Sequence, residues 1–182
     1  MEIKKYKLGE ICKNITDGEH GTVVDTPNGE YFLLSNKNII DGKIFINEKN
    51  DRRIDKITFD KINKRTKLEM GDVLISTVGT IGKLCIVEKS FNYTLQRSIG
   101  ILKPDIKQIR SEYLKYILSS KNYQDLLQNV SKGAVQKCIF IDDLKNIEIS
   151  IPPLPTQQKI AAVLSNIDRK ISINRQINRN LA

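Results

Sequence analysis

Apolar residues before position 150 fall mostly in short runs broken by Gly, Asn and Asp, a pattern that reads as strands. The expected strands are Tyr31–Ser35, Lys43–Ile46, Asp72–Thr77, Leu84–Glu88, Thr94–Lys103 and Asn146–Ile151. Helical spacing appears at Ile57–Arg65, at Ser111–Ser119 with Leu114, Ile117 and Leu118 on one face, and at Asn122–Val130 with Leu126, Leu127 and Val130. Strands and helices interspersed without regular βαβ alternation predict an α+β fold built on a mixed sheet.

The pattern changes at Ile151-Pro152-Pro153-Leu154-Pro155, which holds three of the five prolines and stops strand and helix alike. This divides the chain into a domain at 1–155 and a helical segment at 156–182. Thr156 is the expected N-cap, although Lys159 at N3 leaves a capping box incomplete. Ile160, Leu164, Ile167, Ile171, Asn174, Asn178 and Leu181 then alternate spacings of four and three, the seam of a coiled coil. At 1.5 Å per residue such a helix extends about 40 Å and calls for a partner helix. The alternative is an amphipathic helix folded back on its own domain. The seam is still in phase at Leu181 with no Gly or Pro stop, so the expectation is a helix that continues beyond these residues.

Composition narrows the function classes. With 182 residues, 40% of them apolar and 28% charged, the chain fits one globular core without covalent staples. No run approaches the roughly 20 apolar residues of a membrane span, and no export signal follows the basic N-terminus, so the expectation is a cytoplasmic protein with no membrane partner. Cys12, Cys85 and Cys138 lie far apart without Cys-x-x-Cys spacing, which argues against a disulfide framework or a zinc site. A net charge of +9 favours a polyanionic partner. That signal is weak, because the excess of Lys, Ile and Asn is also what an A/T-rich genome produces.

The tools of catalysis are missing. The single histidine, His20, stands in Thr-Asp-Gly-Glu-His-Gly-Thr, a turn-rich stretch where an imidazole is ordinarily a surface group. Gly79-Thr80-Ile81-Gly82-Lys83 resembles a phosphate loop, but Thr77 and Leu84 occupy the places of the required Gly and Ser/Thr. Pro104-Asp105 with Glu112 and Lys115 has one residue too many for a Pro-Asp…Glu-x-Lys nuclease. Pro152-Pro153 lacks the flanking Asn or Asp and the aromatic residue of a base-extruding methyltransferase. The expectation is a chain without catalytic, cofactor-binding or metal-binding residues of its own.

The sequence becomes specific at Ile149-Ser150-Ile151-Pro152-Pro153-Leu154-Pro155-Thr156-Gln157-Gln158-Lys159-Ile160-Ala161-Ala162-Val163-Leu164, followed by Ile167-Asp168. This block resembles the junction between recognition domain and conserved helix in specificity subunits of type I restriction-modification enzymes. Further blocks agree in order. They are Lys7-Leu8-Gly9-Glu10-Ile11, Asp17-Gly18-Glu19-His20, Ser35-Asn36-Lys37-Asn38-Ile39, Gly71-Asp72-Val73-Leu74-Ile75-Ser76 leading to Gly79–Lys83, and Gly133 with Gln136-Lys137 before Asp143-Leu144.

The resemblance implies a non-catalytic DNA reader, with 1–155 as a target-recognition domain and 156–182 as a spacer or dimerisation helix. Its implied partners are double-stranded DNA, methyltransferase subunits and a restriction subunit, to which S-adenosylmethionine, ATP and Mg belong. A second recognition domain, or a copy of this chain, would meet it through the helix. For base reading the candidates are Gln96, Arg97 and Gln136, since Gln pairs bidentately with adenine and Arg with guanine. For phosphates they are Lys37, Lys83, Lys132 and Lys137, in stretches marked as turns by nearby Gly or Asn. The stretch 49–67, with eight Lys or Arg against three Asp, is a further cationic candidate or a solvated helix face. The competing reading is a helix-mediated protein-interaction module or assembly scaffold with negligible DNA binding.

Overall fold

The computed structural model describes residues 2–88, 91–133 and 136–181. In chain order the elements are β1 (Lys4–Lys7), α1 (Leu8–Ile11), β2 (Cys12–Asp17), β3 (Tyr31–Leu34), β4 (Ile39–Ile40), β5 (Lys43–Ile44), β6 (Arg52–Ile54), α2 (Lys56–Thr66), β7 (Val73–Ser76) and β8 (Leu84–Ile86). They continue with β9 (Tyr93–Leu95), β10 (Ile99–Pro104), α3 (Ser111–Ser119), α4 (Lys121–Val130), α5 (Ile141–Lys145), β11 (Glu148–Ile151) and α6 (Leu154–Leu181). The mixture is α+β with a long C-terminal helix.

A central antiparallel sheet in the order β2-β10-β7-β8 has both faces covered. Val73, Ile75 and Leu102 point into a layer with Leu114, Leu118, Leu127 and Leu144 from α3, α4 and α5. Their alternating neighbours Leu74, Ile99 and Ile101 point the other way, against Phe32, Leu34 and Leu95 of the three-stranded sheet β6-β3-β9. Burial on both faces is why β7 reads Val-Leu-Ile without polar alternation.

The expected strand Thr94–Lys103 is broken in two. β9 pairs in parallel with β3, whereas β10 pairs with β2 and β7 in the central sheet. The chain therefore changes sheets at Gln96-Arg97-Ser98, and Ile99 N–H closes that turn onto the Gln96 carbonyl at 3.0 Å. Strands β1, β2, β4 and β6 lie outside the expected set. Lys4–Lys7 is largely exposed and carries no apolar alternation; β1 exists by pairing with the distant β11.

α6 begins two residues before the expected cap. Pro153 O accepts the N–H groups of Thr156 and Gln157 at 2.9 and 3.1 Å, so Thr156 lies within the first turn. Pro155 is tolerated there because an N–H in the first turn has no intrahelical partner anyway. α6 leans on α3 along a polar and small face: Gln157 and Ala161 are buried, and Tyr116 OH donates to Asp168 at 2.8 Å and meets Ser165 Oγ at 3.2 Å. Further along, Arg175 pairs with Asp41 at the β4–β5 hairpin tip at 2.9 Å.

Candidate nucleic-acid interface

Strand registers bring four loops to one edge. Gly100 of β10 sits opposite Asp17, Ile99 opposite Ser76, and Leu34 beside Leu95, so the C-terminal ends of β2, β3, β7 and β9 meet the start of β10. The segments leaving those ends then pin one another. Gly18 packs so closely on the 95–96 backbone that a Cβ there would lie 2.2 Å from the Leu95 carbonyl oxygen. Arg97 N–H donates to Glu19 O at 3.0 Å, and Asn36 Nδ2 donates to Val78 O at 2.6 Å. Gly79 N–H donates to Lys137 O and Ile139 N–H to Thr77 O, both at 2.9 Å, which draws the 136–139 segment to the same edge.

The structure thus brings Gln96, Arg97, Gln136 and Lys137 together. Gln96 is half-buried, and the other three are exposed. The backbones of Gln96, Arg97 and Lys137 are held by such bonds, while among the described residues no ion pair engages the side chains of Arg97 or Lys137. Gly79, at φ +73°, would place a Cβ 3.3 Å from Asn36 Nδ2 and 4.0 Å from Gln136 Nε2, so this turn leaves the two amides room.

The remaining candidates lie around this group. Lys37 adjoins it through Asn36, but its ammonium pairs at 2.9 Å with the buried carboxylate of Asp51. Burial pushes the Asp51 carboxyl up; the Asn47 N–H, Lys37 and the Asn38 amide outweigh that and hold it below its ordinary value. Lys132 pairs with Asp143 at 2.8 Å and lies 5.6 Å from the Phe140 ring centroid. Lys83 starts the other arm of the Gly79–Gly82 turn, half-buried beside the contact between Gln124 and Gly82.

Reading the sequence by residue type misses Asn36 as a loop pin and gives Asp17 and Arg65 no part. Asp17 Oδ2 lies 2.6 Å from His20 Nε2, and its other oxygen lies 3.9 Å from Arg65, which also donates to Gly18 O. The block Asp17-Gly18-Glu19-His20 is a visible signal, but its partner on α2 lies 48 positions away from Asp17.

On α6 the expected seam faces away from the domain. Ile160, Ile167 and Ile171 are 37%, 47% and 46% exposed, Leu164 is half-buried, and Asn174 and Asn178 are exposed. The side chain of Leu181 lies outside the described residues. The helix does contact its own domain, but through the adjacent face of Gln157, Ala161 and Asp168, leaving the apolar stripe uncovered. Among the described residues no cluster of three or more His, Cys, Asp or Glu is suited to a metal, and no helix is long and apolar enough to cross a membrane.

A family model described as "Type I restriction modification DNA specificity domain" matches residues 1–182. The EcoBI specificity subunit of Escherichia coli is 32% identical over 145 residues, covering 79% of this chain and 30% of that subunit. The HindI specificity subunit of Haemophilus influenzae is 25% identical over 186 residues, covering 98% and 38%. The chain therefore spans about a third of the length of these relatives. In fold, it is similar to the crystal structure of a type I restriction-modification S subunit from M. genitalium, with TM-score 0.68 at 22% identity over 99% of this chain and 43% of that one. The HsdS subunit from Thermoanaerobacter tengcongensis gives TM-score 0.61 at 21% identity, covering 96% and 39%.

Proposed function

The chain belongs to the family of type I restriction-modification DNA specificity domains, and from that premise we propose that it reads one half of a bipartite DNA target. In this reading residues 1–155 carry recognition, and the helix from 156 onward spaces that domain from a second recognition domain or a copy of itself. Methyltransferase and restriction subunits dock on the assembly and bring S-adenosylmethionine, ATP and Mg, while this chain contributes recognition and no catalysis.

The observation that supports it most is the gathering of Gln96, Arg97, Gln136 and Lys137 from distant segments onto one edge. Two amides and a guanidinium present bidentate hydrogen-bonding groups suited to adenine and guanine edges, and the neighbouring lysine suits a phosphate. Loops held by a rigid sheet are where such reading groups are best placed.

The test is a mobility-shift titration of the purified chain against randomised duplex DNA over a salt series. Retention at low salt that weakens linearly in log–log form supports the reading. Failure to retain duplex at low salt favours a helix-mediated interaction module, a reading that the uncovered Ile160–Ile171 stripe would support.

A further inference from the structure

His20 stands at the edge that carries Gln96 and Arg97. Glu19 forms an isolated parallel bridge with Gln96, its carbonyl accepts the Arg97 N–H at 3.0 Å, and His20 follows directly in the chain. The ring is 58% exposed. An imidazole left to water needs no fixed orientation, yet this one is held from behind. Its Nε2 lies 2.6 Å from Asp17 Oδ2, and Asp17, only 18% exposed, ends β2 in the rigid central sheet. Arg65, in the last turn of α2, faces the other Asp17 oxygen at 3.9 Å and Glu19 at 3.9 Å, and donates to the Gly18 carbonyl. The result is a guanidinium, a carboxylate and an imidazole in series, with the imidazole outermost.

A carboxylate accepts hydrogen bonds and does not donate them, so the Asp17–His20 bond places the proton on Nε2. In the neutral ring Nδ1 is then an acceptor, and among the described residues nothing occupies it. On a major-groove edge, an acceptor meets the exocyclic amine of adenine or cytosine and is opposed by the oxygen of guanine or thymine. Resting on the DNA-reading proposal above, we propose that His20 is a base-reading residue, oriented by Asp17 to present Nδ1 as an acceptor that favours adenine or cytosine at one target position. Asp17 and Arg65 are positioning residues behind it.

The experiment is selection from a randomised duplex library at pH 8 with the full chain, compared for wild type, H20A and D17N. H20A is expected to melt with the wild type and to lose roughly two- to tenfold of the preference at a single position, the worth of one hydrogen bond. In D17N the Arg65 guanidinium, which faces the other Asp17 oxygen, keeps the amide carbonyl on its side and turns the amide N–H toward Nε2, so the ring proton moves to Nδ1 and the exposed nitrogen becomes a donor. At that same position D17N should move the preference from adenine or cytosine toward guanine or thymine, a change that mere loosening of the loop would not produce. A wild type that enriches a motif which H20A and D17N reproduce at every position overturns the assignment of His20 and leaves the DNA-reading proposal standing. If the wild type enriches no motif, both fall.

Discussion

Gln157 Oε1 accepts the backbone N–H of Arg110 at 3.0 Å, joining the first turn of α6 to the residue that caps the start of α3. The same side chain donates through Nε2 to Gln108 O at 3.0 Å and Pro152 O at 2.9 Å, and it is 1% exposed. A buried amide with all three bonds made is a latch between domain and helix. The Pro-Pro-Leu-Pro-Thr-Gln-Gln block thereby acquires a physical role. Its prolines start the helix abruptly, and Gln157 fixes where that start lies relative to α3.

Q157A leaves a main-chain donor and two carbonyls without that partner, an expected loss of about 1–3 kcal/mol. In a domain of this size each kcal/mol lowers the melting temperature by roughly 2–4 °C. Thermal denaturation followed by circular dichroism checks this, and an unchanged melting temperature would refute the latch.

The double variant I167D/I171D should separate assembly from folding. Both side chains are about half exposed, so the stability of the domain is expected to stay within about 0.5 kcal/mol of the wild type. Association through the seam is expected to be lost, since charged groups at core positions of a helix pair are left buried and unpaired. Sedimentation velocity at matched concentrations decides it, and unchanged assembly would refute the seam.

At the proposed reading edge the expected outcomes differ by residue. R97A is expected to cost about 1–3 kcal/mol on a matched duplex and to relax preference at one position, whereas K137A weakens all sequences and lowers the salt slope by about one. K37A should change the slope less than K137A, because its ammonium is already engaged with Asp51. Titrations over a salt series read all three variants, and equal slopes for K37A and K137A would contradict this ranking.

The loop behind Lys37 carries a pH signature. Burial opposes ionisation of Asp51, but the Asn47 N–H, Lys37 and Asn38 outweigh it and depress the carboxyl. A carboxyl lowered on folding stabilises the fold above its unfolded value of about 3.9, and that contribution is lost as pH falls through the lower folded value. D51N is expected to lose about 1–3 kcal/mol at pH 7, where its amide meets donors instead of accepting from them. The gap between wild type and D51N should therefore shrink as pH is lowered below about 4. Thermal melts at stepped pH measure it, and a gap that widens on acidification would reverse the assignment.

Local pattern alone identified α3, whose boundaries Ser111–Ser119 are those observed, and the long helix with an apolar stripe, because helical periodicity is written within a few turns. It likewise located β7 and β8, whose apolar residues are contiguous. The ordered motif blocks carried the family, and Gln96, Arg97, Gln136 and Lys137 could be picked out by residue type. Tertiary structure decided the rest, because it depends on pairings that no local window contains. Lys4–Lys7 becomes a strand only against Glu148–Ile151. Thr94–Lys103 breaks because its two halves belong to different sheets. The edge that carries Gln96, Arg97, Gln136 and Lys137 is assembled by bonds such as Gly79 to Lys137, and His20 acquires an orientation only from Asp17 and the distant Arg65. The direction of the Ile160–Ile171 stripe was also settled only there. The polar contacts of Gln157 and Asp168 take the face beside it, and so the apolar residues are left outward.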